Sequence, residues 1–186
     1  GTIPTDVVLF NIDSKSEVNG KQSKVAIVSV LQNVFNEMQG FSGSNPFLAD
    51  LERKLTEEGK YNLFKEKFED SFGSAWEESR SDFDFIQDDV VEVLDEIGFM
   101  SIEAGRNWCE KATGEYTYKV EDFARLVKKY LDKKESNHHI VFLIDEIGQY
   151  IGDDSKLMLN LQTVTEDLGT ACGGKAWIYR NKSAGY

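Results

Sequence analysis

The sequence predicts an α/β fold: a three-stranded parallel sheet with covering helices and a large helical insertion. Three observations lead there. Short apolar runs stand at Val7–Phe10, Ile140–Ile144 and Ala176–Tyr179. The middle run is apolar at every position, as strands buried in a parallel sheet are. The long stretches between the runs carry helical periodicity, and connections of that length join parallel neighbours through right-handed crossovers.

The elements follow in order. Asp6–Asp13 reads as a strand that turns polar at its end, and residues 14–22 form a polar loop containing Gly20. From Ser23 to Met38, Ile27, Val30, Leu31, Val34, Phe35 and Met38 recur at helical spacing, and Gly40 stops the helix. This is half of a βαβ unit. Between about Asn45 and Lys134 there is no strand signal. Successive helices there carry Leu48, Leu51 and Leu55; Tyr61, Phe64, Phe68 and Phe72; Ile86, Val90, Val93 and Ile97; then Ile102, Gly105 and Cys109. An aromatic stripe at that spacing faces a core. Ser101 is placed to cap its helix, with Glu103 in the first turn. A further helix uses Val120, Phe123, Val127, Tyr130 and Leu131. Its Lys128, Lys129, Lys133 and Lys134 gather near the end, where the helix dipole favours cations. After the strand Ile140–Ile144 come a loop with Gly148 and Gly152 and a helix capped by Asp153, Asp154 or Ser155. Leu157, Leu161, Val164 and Leu168 line one face of that helix. The expected division is residues 1–44 for the first strand and helix, 45–134 for the insertion, and 135–186 for the remaining core.

Composition sets bounds. Forty per cent hydrophobic residues, with three Trp and twelve Phe, argue for an ordered core. No apolar run approaches the roughly 18 residues of a membrane span, and no signal-peptide pattern opens the chain. The net charge of −12 opposes nonspecific nucleic-acid binding, which needs a basic surface. Between Glu77 and Glu103, ten acids face Arg80 alone, as a solvated helix face or a docking surface for a basic partner would have it. Cys109 and Cys172 are far apart and away from His138 and His139, so they suggest neither a disulfide framework nor a zinc site. A reducing, cytoplasmic setting is expected. The two histidines read as surface or hydrogen-bonded residues and not as ligands.

The segment His139-Ile140-Val141-Phe142-Leu143-Ile144-Asp145-Glu146 carries the chemistry. An apolar strand ending in two carboxylates is how a Walker B element is built. The first acid helps hold Mg²⁺ beside nucleotide phosphates, and the second orients or deprotonates an attacking water. Many α/β strands also end in an acid for structural reasons, because a polar sheet edge and a helix start follow. A phosphate loop would decide between the two. The one near match to G-x-x-x-x-G-K-[ST] is Gly169–Ala176, but it follows a helix, precedes a strand and has Ala176 in place of the Mg²⁺-binding hydroxyl. Gly169 is expected to end the helix in a left-handed conformation, and Gly173-Gly174 to make the turn. No G-x-G-x-x-G occurs.

The segments VLFNIDSK (residues 8–15), VFNEMQGFSG (34–43) and SIEA (101–104), with FLIDEIGQYIGDDSKLMLNLQTV (142–164), EDLGT and CGGKAW, together resemble one family. It is the large P-loop ATPase of bacteriophage-exclusion (BREX) defence systems, the BrxC/PglY-like AAA+-type proteins. The resemblance runs from about Asp6 to Trp177. It implies a partial AAA+-type P-loop core whose second, third and fourth strands are the three seen here. It implies that Asp145 binds Mg²⁺ and Glu146 acts as catalytic base, with Asp145 and Glu146 together at an ATP site. It implies further that the phosphate loop precedes the segment matching Asp6, so that the chain is a fragment, inactive alone. Other components of the defence system would be its partners. Beyond Ile178 the sequence leaves the family pattern, as a truncated or frameshifted reading frame would, so Asn181 is an unsafe match to the family's sensor position.

Two other readings stand beside this one. The chain could be a non-catalytic interaction module that docks partners through its acidic insertion, or forms a homodimer through an exposed sheet edge. A separate Mg²⁺-dependent hydrolase using Asp145, Glu146 and Asp13 is the third.

Overall fold

The computed structural model describes residues 2–11, 24–145 and 155–181. They divide into two compact units: Asn36–Thr117, and an α/β unit made of the residues up to Phe35 together with those from Tyr118 onward.

The α/β unit contains β1 (Thr5–Phe10), the helix α1 (Lys24–Met38) as far as Phe35, α7 (Val120–Asp132), β2 (His139–Asp145), α8 (Ser155–Ala171) and β3 (Ala176–Asn181). The sheet is three-stranded, entirely parallel, in the order β1-β2-β3. Val8 lies beside Phe142 and Phe142 beside Ile178, so these three share one face. That face is the core. Phe142 is fully buried, with its ring 6.2 Å from Phe35 of α1 and 5.6 Å from Phe123 of α7. Phe35 in turn meets Phe123 edge-on at 6.2 Å. Val8, Phe10, Ile140 and Ile144 join them from the sheet, and Leu157, Leu161, Val164 and Leu168 from α8.

The opposite face corrects one expectation. A strand apolar at every position was read as buried on both sides. Instead β2 alternates, with Val141 and Leu143 partly exposed, while Val7, Leu9 and Tyr179 on the same face are exposed. The strand order explains this. Both crossovers step the same way across the sheet, and right-handed crossovers that step the same way put their helices on the same side.

The helical unit holds α2 (Pro46–Glu57), α3 (Tyr61–Phe72), the short α4 (Trp76–Ser79), a 3₁₀ turn Arg80–Phe85, α5 (Gln87–Glu96) and α6 (Ile102–Ala112). Its local signals are legible. Asn45 caps α2, its Oδ1 accepting from the amides of Phe47 and Leu48 at 3.0 and 3.2 Å, ahead of Pro46 in the first turn. Ser101 caps α6 as expected, its Oγ accepting from the Ala104 amide at 3.1 Å. At Gly105 a Cβ would fall 3.0 Å from Val91 Cγ1, so glycine is what lets α6 approach α5. The core is built around Trp76, which meets Phe64 and Phe68 edge-on at 5.0 and 5.2 Å.

This unit closes at Thr117 and not at Lys134. The amphipathic helix α7, counted with the insertion because it follows the other helices in the chain, belongs with the sheet. Its Val120, Phe123, Ala124, Val127 and Leu131 stripe is buried there, through Phe123 against Phe142.

The boundary also sorts the charge. Residues 36–117 carry twenty acidic and eight basic side chains, and the rest of the chain thirteen of each, so the whole net charge of −12 falls in the helical unit.

Candidate functional site

Asp145 is the last residue of β2, at the carboxyl edge of the sheet and on its middle strand. Beside it, β1 ends at Phe10, paired with Ile144, and Asn181 of β3 is in register with Asp145 itself. Parallel α/β sheets present ligand-binding groups at this edge, because the loops leaving the strands converge there. Glu146, Asp13, Gly148 and Gly152 lie outside the described residues, as do the side chains of Ser155 and Asn181. Of the expected site, then, the structure places Asp145.

A cavity of about 480 Å³ opens near the same edge, on the helix-covered face between α8 and the sheet. Ile144, Met158, Leu161 and Ile178 give it apolar walls, with Gln162 and Arg180 among its polar groups. Its volume and mainly apolar lining are those of a small-molecule site.

Among the described residues, no three His, Cys, Asp or Glu side chains converge as a metal site. Mg²⁺ does not ask for that. It is held by one or two carboxylates together with phosphate oxygens and water, so an aspartate at a strand end fits its usual donor set.

The glycine-rich segment does not serve as a phosphate loop, as its context in the sequence indicates. Gly169, the expected stop, lies inside the helix, since α8 runs on two residues further to Ala171. The left-handed residues are Gly173 and Gly174, with φ of +60° and +79°. Their amides turn back onto the last carbonyls of α8, Gly174 N–H donating to Gly169 O at 2.8 Å, and Lys175 N–H donates to Cys172 O, just past the helix, at 3.2 Å. This is a helix carboxyl terminus, with the negative end of the dipole, where a phosphate would need the positive one. Lys175 also precedes β3, at the amino edge, roughly 20 Å from Asp145 at about 3.3 Å per strand residue.

At that amino edge the structure brings together residues that sequence reasoning did not connect. Asp6 Oδ2 accepts from the Tyr130 hydroxyl and lies 2.8 Å from His138 Nε2, and Lys134 Nζ sits 5.0 Å from the centre of the Tyr130 ring. His138 is thus hydrogen-bonded, as expected of it. His139 Nδ1 lies 2.7 Å from Asn137 O, and its ring meets Trp177 at 5.3 Å. Burial alone would raise the Asp6 carboxyl. The Tyr130 and His138 hydrogen bonds, with the charges of His138 and Lys134, outweigh it and hold Asp6 below the ordinary carboxylate range. No sequence spacing joins Asp6 to residues 124 and 132 positions away; only the parallel pairing of β1 with β2 does.

The sign of the consequence is fixed by the direction of that shift. A carboxylate depressed in the folded state stabilises the fold above its unfolded value of 3.8, and that stabilisation is lost as pH falls through the lower folded value. Asp6→Asn is expected to cost about 1 kcal/mol at neutral pH, allowing for its partial exposure. The gap to wild type should close as the pH drops below about 4. Urea midpoints measured from pH 7 down to 3 check this, and a gap that stays constant with pH would contradict it.

Cys109 and Cys172 are free and buried, and burial pushes each thiol up to about 11. Neither is a reactive nucleophile at neutral pH. No described helix is long and apolar enough to cross a membrane.

Fold and site together define an α/β protein with a carboxylate at the carboxyl end of its central strand. No protein-family model matches the chain, and no solved structure is significantly similar to it.

Proposed function

We propose that this chain is the Walker B-bearing part of a P-loop ATPase of the AAA+ type, belonging to a bacteriophage-exclusion defence system. Asp145 holds Mg²⁺ and Glu146 orients the attacking water of bound ATP. The observation that carries this reading is the position of Asp145: carboxyl end, middle strand, parallel neighbours on both sides. The sequence resemblance supplies the particular family. A bound Mg²⁺ would neutralise charge on the phosphates, while the chain's own part is to hold Asp145 at the strand end as a ligand and to supply the next residue, Glu146, as base. Phosphate grip has to come from a loop outside these residues, since the Gly169–Ala176 turn faces the wrong way and sits at the wrong edge.

Calorimetry with ATP and Mg²⁺ tests this. The chain alone should show no binding at millimolar ATP. Binding that Asp145→Ala abolishes would mean a self-sufficient site, and the need for a separate phosphate loop would be wrong. In a polypeptide that joins this segment to its phosphate loop, Glu146→Gln should slow hydrolysis by about 10²-fold or more while ATP still binds. Unchanged turnover would remove Glu146 from its role.

A second reading has its own observation. The helical unit carries the whole net charge, and on it Phe85 is 90% exposed between Asp82 and Asp84 on one side and Asp88 on the other. An aromatic side chain held out among acids suits a basic partner with an apolar pocket.

A further inference from the structure

We draw no further inference here: the strongest candidate, the surface patch of the helical unit where Phe85 stands out among Asp82, Asp84 and Asp88, rests on one exposed side chain and a cluster of acids already used in the second reading above, and nothing in the structure shows what covers it.

Discussion

Glu52→Ala is expected to destabilise the helical unit by about 3–5 kcal/mol, the usual cost of breaking a buried ion pair from one side. Glu52 is completely buried on α2 and gathers donors from four places. The Ser42 amide donates at 2.8 Å, Trp76 Nε1 at 3.1 Å, Arg80 at 2.7 Å and the Tyr61 hydroxyl closes the set. Arg80 also donates to Gly40 O at 3.1 Å, so the cluster ties the loop before α2 to α3, α4 and the 3₁₀ turn. Burial and the Glu52 charge hold the Tyr61 phenol far above its ordinary value, which keeps it a donor. Truncation leaves the buried Ser42 amide and Trp76 Nε1 without their acceptor, each costing about 1–3 kcal/mol if unmet.

Glu52→Gln keeps the shape and two lone pairs, and should cost less than half as much. Urea denaturation followed by Trp fluorescence reports directly, since Trp76 is itself a partner. Against the roughly 5–15 kcal/mol that holds a whole domain, the loss expected from Glu52→Ala is a large fraction of the stability. A loss under about 1 kcal/mol would show that water replaces the carboxylate, and that the cluster does not organise the unit.

The second large effect belongs to the sheet. Phe142→Ala should cost about 3–5 kcal/mol, because Phe35, Phe123 and α8 cannot collapse into the space it leaves. Leu9→Ala, on the other face, should stay within about 0.5 kcal/mol, because that side chain is 62% exposed already. Hydrogen exchange of the β2 amides distinguishes the two: protection should fall by orders of magnitude for Phe142→Ala and stay unchanged for Leu9→Ala. Equal effects would mean that both faces of the sheet are packed. Loss of Phe142 would also disturb Asp145, which ends the strand that Phe142 anchors.

Much of this was legible beforehand. The three strands, the helix of residues 24–38 and the cap at Ser101 follow from local chemistry, which a sequence states outright. The place of Asp145 was legible too, because an apolar run that stops at an acid marks the carboxyl end of the strand. Glu52 was not. It is one acid among twenty in its unit, and nothing in a linear pattern shows that Ser42, Tyr61, Trp76 and Arg80 converge on it. The same holds for Asp6 with Tyr130 and His138.

By itself the sequence determined element type, the parallel sense of the sheet and the edge at which its acid stands, since periodicity and connection length are local or nearly so. Only the tertiary structure decided which unit α7 joins, where the net charge collects, and which half of the apolar strand residues is buried. Val7 and Val8 are the same residue type, one step apart, yet one is exposed and the other is core. The strand order β1-β2-β3 made that choice: with every crossover running one way, the helices had one face to cover.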